Sequence, residues 1–344
     1  MSPPATMRAA VYHRNDDVRL VEMPTPRAGP GEILLKTRAS GICGSDVMEW
    51  YRRASAPRVL GHEVAGEIAE AGPGVRGFRV GERVFVSHHV PCNACRYCLR
   101  GDHTACDTLR ATNFDPGGFA EFIRVPPINV AVGTFRLPDE ISFEEAVFVE
   151  PLGCVVRAQR RAGMRPGDAV LVVGSGISGL LHVQLAAAAG AGRIFAADVH
   201  PYRVEAARRF GAEAIPSGEG LPAALREANG GRLADRVFVC AGAPSAVEAA
   251  LRCADRGGVV QLFAPTAPGE RPGVDLHHLW REQIALSTTY GAAPLDLTQS
   301  IELIRSRRVN VRDMITHRLP LEEAARGFRL VAEAGESIKV ILRP

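Results

Sequence analysis

Four cysteines lie close together and are the strongest local candidates for metal chemistry in the chain. Cys92, Cys95, Cys98 and Cys106 form a C-x2-C-x2-C-x7-C run. Four thiolates at this spacing can surround one tetrahedral ion, and sulfur ligands favour zinc or an iron-sulfur cluster. Disulfides are the alternative, but no secretory signal is visible and a chain of 344 residues does not need such cross-links. The run therefore predicts a lobe that is ordered by a metal.

A glycine-rich turn in the second half of the chain predicts a dinucleotide site. A compact apolar run leads into a G-x-G-x-x-G turn that contains Gly174, Gly176 and Gly179. The first glycine permits a tight turn, the second lets the backbone approach a pyrophosphate, and the third packs a helix against a strand. The following segment has helical character, so the N–H groups near Ile177 and Ser178 would face the phosphates. A merely structural turn is the alternative.

An acidic residue at the expected distance strengthens this interpretation. Asp198 ends the next predicted strand, a little over twenty residues after the glycine-rich turn. A carboxylate there accepts hydrogen bonds from the ribose hydroxyls and repels a 2′-phosphate, which favours NAD over NADP. His200 and Arg203 follow closely and would weaken that preference.

Composition limits the classes of partner. The formal net charge of +3 gives no electrostatic reason to expect nucleic acid or an anionic membrane as a partner. The most apolar segment, residues 169–199, is interrupted by glycines and polar residues, and the first eight residues lack the apolar core of a signal peptide. We therefore expect a cytoplasmic protein without a membrane span.

The pattern of residue types changes near the middle of the sequence. This change predicts two domains of the α/β class. Residues 9–148 contain short β-type runs separated by glycine and proline turns, which indicates a β-barrel or folded sheet. From residue 169 onward, compact apolar runs alternate with alanine-rich helical segments. This βαβ rhythm predicts a doubly wound parallel sheet. The last segment, from about residue 288, is expected to return to the first domain.

Other metal-ligating residues are scattered. Cys43 lies in a Gly-Ile-Cys-Gly-Ser-Asp segment, His62 and Glu63 in Gly-His-Glu, and Glu150 in Glu-Pro-Leu. Their separation means that spacing alone cannot show that they meet. Taken singly, they would be interpreted as a buried thiol, a core histidine and a carboxylate at a helix entry.

The ordered set of motifs resembles the zinc-dependent medium-chain dehydrogenases, in the branch of sorbitol and related polyol dehydrogenases and L-threonine 3-dehydrogenase. The resemblance extends from near Met7 to the C-terminus. It implies a GroES-like catalytic β-barrel domain in residues 1–150 and 288–344, and a Rossmann NAD-binding domain in residues 151–287. The four-cysteine lobe would hold a structural zinc beside a separate catalytic zinc, giving two ions per chain.

The resemblance also implies the residues that hold the catalytic zinc. Cys43 and His62 would be direct ligands. Glu150 takes the position that is cysteine in many simple alcohol dehydrogenases and acidic in the polyol branch. Glu63 would be either a ligand or a nearby carboxylate that displaces one.

The implied reaction is zinc-dependent oxidation of a secondary alcohol to a ketone, with hydride transfer to NAD. Ser45 matches the family's hydroxyl that accepts the alcohol proton, but Met48 stands where many relatives have the next histidine of the relay. A polyol, cyclitol or vicinal diol is the expected substrate, and a β-hydroxy amino acid such as L-threonine is the alternative. Segments that border the cleft in relatives contain Trp50, His88, His89, Asn113 and Phe114, for which ordinary packing is an equal alternative.

Two other classes compete with this interpretation. Zinc-independent reductases of the same superfamily generally lack the set of Cys43, His62 and Glu150 and also the four-cysteine lobe. A non-catalytic docking module would use the four-cysteine lobe alone, but the lobe is not strongly basic and has no aromatic platform beyond Tyr97. The family forms dimers and tetramers, so we expect a homo-tetramer or homo-dimer that pairs through the edge strand near residues 258–263 and 284–288.

Overall fold

The computed structural model describes residues 3–344, which divide into two compact units. The first unit contains the chain up to Gly153 together with Gly291–Pro344, and the second contains Cys154–Tyr290. The sequence-based expectation placed these divisions at 150/151 and 287/288.

The N-terminal part of the first unit is built mainly from strands. Its eight strands are β1 Thr6–Arg14, β2 Asp17–Pro24, β3 Ile33–Gly41, β4 Arg58–Val59, β5 Glu63–Ala71, β6 Arg83–Ser87, β7 Phe122–Val125 and β8 Thr134–Arg136. The helices of this region are short except the last, and they are α1 Glu49–Arg52, α2 Arg96–Leu99, α3 Asp107–Ala111, α4 Pro127–Gly133, α5 Phe143–Ala146 and α6 Val149–Arg161. From Cys154 onward, the residues of α6 belong to the second unit. Short 3₁₀ turns occupy Gly44–Val47, Arg53–Ser55 and His103–Ala105.

The second unit alternates strands and helices. Its elements are β9 Ala169–Val173, α7 Ile177–Ala188, β10 Arg193–Ala197, α8 Pro201–Arg209, β11 Glu213–Ala214, α9 Leu221–Ala228, β12 Ala234–Val239, α10 Pro244–Leu251, β13 Ala254–Leu262, α11 Leu276–Glu282 and β14 Ala285–Thr288. The chain then returns to the first unit with α12 Pro294–Arg305, β15 Ile315–Pro320, α13 Ala324–Glu333 and β16 Lys339–Arg343, and with 3₁₀ turns at Arg312–Met314 and Leu321–Glu323.

The main sheet of the first unit brings strands from both ends of the chain together. Its order is β15-β16-β3-β5-β6-β8, with β7 also paired to β3, and a separate sheet has the order β2-β1-β4. Gly41 lies opposite both Glu63 and Ile341, and Glu63 also lies opposite Ser87. The start of β5 therefore lies between β3 and β6, and β16 pairs with the opposite edge of β3. This register buries the Glu63 side chain near the first residue of β16, Lys339.

The sheet of the second unit is fully parallel, with the order β11-β10-β9-β12-β13-β14. This is the order of the doubly wound dinucleotide-binding fold, and it confirms the α/β prediction. All five residues of β9 are buried, as expected for a central strand that helices cover on both faces. In residues 3–344, β14 lies at one edge of this sheet and β11 at the other. The edge strand expected near residues 258–263 and 284–288 is therefore β14 only, because β13 pairs with strands on both sides.

None of the helices in residues 3–344 combines the length and the apolar character that crossing a bilayer requires.

Candidate active site and metal centres

The four cysteines of the lobe converge. Their sulfur atoms all lie within 4.8 Å of one another, with 3.5 Å between Cys95 and Cys98 and 3.7 Å between Cys92 and Cys106. A tetrahedral ion with zinc–sulfur bonds of about 2.3 Å requires sulfur atoms about 3.8 Å apart. A disulfide bond of about 2.05 Å is much shorter, and all eight cysteines of the chain are free. The donor set and the spacing fit a structural zinc.

The backbone of the lobe favours thiolates. The amides of Ala94 and Cys95 donate to the Cys92 sulfur at 3.5 and 3.2 Å, and they lower the pKa of that thiol. Burial works against ionisation of Cys106, but the Cys92 amide and neighbouring donors lower its pKa to about 6. Amide donors therefore favour thiolates at Cys92 and Cys106, whereas burial raises the pKa of Cys98 to about 12.

A second group of possible ligands forms where β3 ends and β5 begins. Cys43 follows β3, His62 precedes β5, and Glu63 is the first residue of β5. One ligand atom from each of these side chains lies within 4.8 Å of the others. The set offers one sulfur, one nitrogen and one oxygen, which suits a zinc ion that keeps a further position for water or substrate.

The Glu63 carboxylate is oriented by a buried ion pair. Its Oε2 atom accepts a hydrogen bond from Lys339 Nζ, while Oε1 is buried without a hydrogen-bond partner in the described chain. A buried carboxylate oxygen without a partner is costly, and a cation in the space shared with Cys43 and His62 would satisfy it. A Cβ atom added at Gly41 would lie 2.2 Å from Glu63 Oε2, so only glycine leaves room for this pair.

A buried aspartate supports the histidine. The Nδ1 atom of His62 lies 3.5 Å from Asp46 Oδ1, and the other oxygen of Asp46 accepts the Cys43 amide at 3.0 Å. Burial alone would lower the pKa of His62, but Asp46 and Cys43 outweigh it and raise that pKa well above its usual value. A carboxylate at Nδ1 orients the ring so that Nε2 is the nitrogen available to a metal.

Ser45 lies beside the same cluster. Its hydroxyl is 3.4 Å from the Cys43 sulfur, and the Ser45 amide is at the same distance from that sulfur. Arg52 Nη2 donates to the Ser45 hydroxyl at 3.0 Å, and Arg52 Nε donates to the Ser45 carbonyl at 2.9 Å. Met48, at the start of α1, has no group that transfers a proton.

A pair of histidines continues the site from the end of β6. The His88 ring lies 4.8 Å from the His62 ring and 6.2 Å from the Phe114 ring, measured between centroids. Asn129 is fully buried and donates to the carbonyls of Ser87 and His88, both at 2.8 Å, which fixes this segment. Burial is the main reason that the pKa of His88 lies well below its usual value.

The neighbouring ring is also neutral at moderate pH. The pKa of His89 is lowered to about 4, mainly by burial. The His88 and His89 rings are 3.8 Å apart between centroids, so they form one uncharged polar surface beside His62.

The remaining residues predicted for the site occupy different positions. Glu150 is buried in the first turn of α6, but it does not belong to the group whose ligand atoms converge within 4.8 Å. Trp50 lies on α1 and is 45 % exposed. The Asn113 side chain accepts the amide of Phe114 at 2.8 Å.

The backbone of the glycine-rich turn in the second unit disfavours a side chain at two of its glycine positions. Gly174 has a φ of +95°, and a Cβ atom at Gly179 would lie 1.9 Å from the Gly174 carbonyl oxygen. The Asp198 carboxylate accepts the Ser175 amide at 2.6 Å and the His200 amide at 2.8 Å. Helix α7 then begins at Ile177, with Gly176 as its N-cap and Ser178 in its first turn.

Arg203 lies over this turn. Its guanidinium carbon is 3.8 Å from the Cβ position of Gly176, and its Nε is buried with no hydrogen-bond partner in the described chain. A cation with an unused donor beside a helix N-terminus is suited to an anionic ligand.

Sequence reasoning did not assign roles to Asp46, Arg52, Asn129 or Lys339. Asp46 lies in the Gly-Ile-Cys-Gly-Ser-Asp segment. Its position three residues after Cys43 is a capping pattern that could have indicated its role, because its carboxylate accepts the Cys43 amide. No motif with a defined residue spacing contains Arg52, Asn129 or Lys339, so the sequence alone did not indicate their roles.

Comparisons with known proteins agree with this geometry. Family models match residues 29–139 as an alcohol dehydrogenase GroES-like domain and residues 178–306 as a zinc-binding dehydrogenase domain. A sorbitol dehydrogenase from Bacillus subtilis (strain 168) is 31% identical, with 99% of this chain and 98% of that protein covered. The chain belongs to the zinc-dependent medium-chain dehydrogenases. This confirms the resemblance inferred from the sequence, and the GroES-like and Rossmann fold classes with it.

Two further proteins are similar to this chain over almost its whole length. An L-threonine 3-dehydrogenase from Pyrococcus abyssi (strain GE5 / Orsay) is 34% identical, with 94% of each chain covered. A solved short chain alcohol dehydrogenase (rspB) from E. coli CFT073, complexed with NADH, is 26% identical and has a TM-score of 0.87, with 99% of this chain and 100% of that chain covered. This medium-chain dehydrogenase is therefore an alcohol-oxidising enzyme that uses zinc and a nicotinamide dinucleotide, as the sequence predicts.

Proposed function

We propose that this dehydrogenase oxidises a secondary alcohol of a polyol, cyclitol or vicinal diol to a ketone and transfers the hydride to NAD. The observation that carries the proposal is the convergence of Cys43, His62 and Glu63 within 4.8 Å, beside a serine hydroxyl that is 3.4 Å from the Cys43 sulfur. The donor types match a catalytic zinc, and the hydroxyl is placed to accept a hydrogen bond from an alcohol.

Each residue has a distinct role in this proposal. Zinc, when bound, acts as a Lewis acid on the alcohol oxygen. Cys43, His62 and Glu63 hold the ion, Asp46 orients His62, and Ser45 accepts the hydrogen bond of the alcohol. Glu150 is the alternative carboxylate ligand. Comparing the zinc content of Glu63→Gln and Glu150→Gln variants distinguishes the two carboxylates.

The cofactor residues form a second set. We propose that the pyrophosphate lies against the turn formed by Gly174, Gly176 and Gly179, at the N-terminus of α7 near Ile177 and Ser178. Asp198 would accept the ribose hydroxyls, and Arg203 would contribute its unused donor to the phosphates. The first unit would be the catalytic domain, for which the sequence predicted residues 1–150 and 288–344. The second unit would be the NAD-binding domain, for which the sequence predicted residues 151–287.

L-threonine remains the second candidate substrate, because the threonine dehydrogenase relative is 34% identical to this chain and the sorbitol dehydrogenase relative 31%. The two histidines beside His62 favour a neutral polyol, since His88 and His89 are uncharged near pH 7 and offer no cation to a substrate carboxylate. The guanidinium of Arg52, a cation beside the same cluster, is engaged by Ser45 and Asp46.

A substrate screen tests the function. The zinc-loaded protein is incubated with NAD and, separately, with polyols, cyclitols, simple secondary alcohols and L-threonine, and NADH formation is followed by absorbance. Activity with a polyol or cyclitol that is lost in Cys43→Ala is the expected result. Activity with L-threonine alone would replace the first candidate by the second, and activity with none of these substrates would contradict both.

Location and assembly complete the proposal. Eight free cysteines are consistent with a reducing compartment, so we propose a cytoplasmic enzyme. We further propose that β14, the outer strand of its sheet, pairs across a two-fold axis in a homo-tetramer or homo-dimer. Analytical ultracentrifugation of the wild type and of a Leu286→Pro variant checks the second point.

A further inference from the structure

Arg52 is a firmly held cation beside the Ser45 hydroxyl of the proposed reaction centre. Its Nη2 donates to the Ser45 hydroxyl at 3.0 Å and its Nε donates to the Ser45 carbonyl at 2.9 Å. The guanidinium carbon lies 4.6 Å from the centre of the Tyr51 ring, and only 16 % of the Arg52 side chain is exposed. Two directed hydrogen bonds and a stacked aromatic ring fix this side chain in one orientation.

The hydrogen-bonding capacity of Ser45 shows what these contacts achieve. A hydroxyl has one proton to donate and two lone pairs that accept. The guanidinium only donates, so it occupies one lone pair of Ser45. The hydroxyl proton has the Cys43 sulfur as its acceptor at 3.4 Å. One lone pair therefore remains, and it is the one available to the O–H group of a substrate.

We infer that Arg52 is a positioning residue, which holds the Ser45 hydroxyl so that its remaining lone pair faces the reacting alcohol. Arg52 acts through Ser45 and takes no proton itself, because a guanidinium stays protonated in proteins. The side chain reaches back from the end of α1 to Ser45, and Met48 at the N-cap of that helix has no polar side-chain group. The inference rests on the proposed function, which gives Ser45 its role.

A purely structural role is the alternative. Arg52 Nη2 also lies 3.4 Å from the buried Asp46 carboxylate, so the guanidinium could serve only to balance that charge. The contacts to Ser45 are the shorter ones, at 3.0 and 2.9 Å. The two roles make different predictions: charge balance acts without Ser45, whereas positioning requires it.

A double-mutant cycle separates the two roles. Turnover is measured for Ser45→Ala, Arg52→Ala and the double variant, with Arg53→Ala as the matched control because Arg53 is an exposed neighbour. We expect Arg52→Ala to lower kcat by about 10-fold to 100-fold, the range for losing a hydrogen bond to a charged group, with a smaller change in KM. The double variant should match Ser45→Ala, and Arg53→Ala should match the wild type. Losses that multiply in the double variant would overturn the inference.

Chemical rescue provides a second readout. Guanidinium ions at non-denaturing concentration should restore part of the turnover of Arg52→Ala and none of the turnover of the double variant. A structural defect would not respond in this selective way. Equal rescue of both variants, or rescue of neither, would contradict a positioning role.

Cobalt substitution provides a readout that does not need catalysis. With zinc kept in the four-cysteine lobe and cobalt placed at the Cys43 site alone, the sulfur-to-cobalt absorption band reports hydrogen bonding to Cys43, to which the Ser45 hydroxyl donates. Arg52→Ala should shift this band in the same direction as Ser45→Ala, while Arg53→Ala should leave it unchanged. If the wild type oxidises no alcohol, the proposed function fails, but the absorption band still tests whether Arg52 positions Ser45. A shift shared by Ser45→Ala and Arg52→Ala supports this positioning, and an unshifted band in Arg52→Ala rejects it.

Discussion

Lys339 donates a hydrogen bond to Oε2 of Glu63, and both side chains are buried from solvent. The ammonium also donates to the Ile42 carbonyl at 3.3 Å and lies 5.7 Å from the centre of the Phe148 ring. A residue near the C-terminus of the chain thereby fixes a carboxylate that we assign to the catalytic zinc. The pair links the stability of the first unit to the geometry of its metal site.

Replacing Lys339 by methionine should therefore destabilise the protein. The substitution leaves the Glu63 carboxylate buried without its cation, which typically costs about 3 to 5 kcal/mol. We expect a lower urea midpoint for Lys339→Met and recovery of most of that loss in Lys339→Met combined with Glu63→Gln. Lys36→Met is the control, because Lys36 is the other lysine of the chain and is exposed. An unchanged midpoint for Lys339→Met would mean that the pair contributes nothing.

The sequence predicted local chemistry better than long-range chemistry, and this pair illustrates the reason. The four-cysteine run and the glycine-rich turn each lie within one short segment, so residue type and spacing carry the information. Glu63 and Lys339 are 276 residues apart, and only the register of β16 beside β3 and β5 brings them together. The approach of Cys43 to His62 likewise depends on strand pairing, so only the family resemblance predicted it.

Arg52 illustrates a different limit. Arginine is frequent in this chain, so the presence of an arginine at one position does not indicate a functional role. Its role depends on the short helix α1, which turns the side chain back toward Ser45. The two-domain α/β architecture, in contrast, follows from apolar runs and glycine turns, because burial in a parallel sheet demands them along the whole sequence.

The metal of the four-cysteine lobe should be separable from catalysis. Four sulfur ligands fill a tetrahedral zinc and leave no position for an alcohol. In Cys98→Ser we expect zinc content to fall from about two ions to about one per chain. Limited proteolysis should then cut within residues 92–106 before NADH formation declines. Cys253→Ala is the control, because Cys253 is buried in the second unit and belongs to neither metal group. If Cys98→Ser lost its turnover as soon as it lost the zinc of the four-cysteine lobe, that zinc would not be separable from catalysis.

Asp198 should control the choice of dinucleotide. Its carboxylate already accepts two backbone amides, and its charge would repel a 2′-phosphate. In Asp198→Asn we expect NAD to bind about 10-fold to 100-fold more weakly, the range for losing a charge-assisted hydrogen bond, while NADP gains relative to NAD. Fluorescence titration with both dinucleotides measures the two Kd values. Glu219→Gln, an exposed acidic site in the second unit, should change neither. An unchanged ratio of the two Kd values would remove Asp198 from cofactor selection.

His182 should make the second unit sensitive to acid. The ring is fully buried on α7, stacked 4.3 Å from the Phe238 ring, and burial lowers the pKa of His182 to about 3. In the unfolded chain the pKa is about 6.5, so the unfolded state binds one more proton between these two values. The contribution of His182 to stability is therefore complete above about pH 6.5 and falls by about 1.4 kcal/mol per pH unit as the pH drops toward 3.

A leucine at this position should reduce that loss. Gln159 keeps its hydrogen bond in His182→Leu, because it donates to the backbone carbonyl of residue 182 at 2.9 Å. We expect the urea midpoint of the variant to fall less between pH 7 and pH 5 than that of the wild type. His277→Leu alters an exposed histidine of the same unit and should follow the wild type. Parallel pH dependence of His182→Leu and the wild type would show that protonation of His182 does not limit stability in acid.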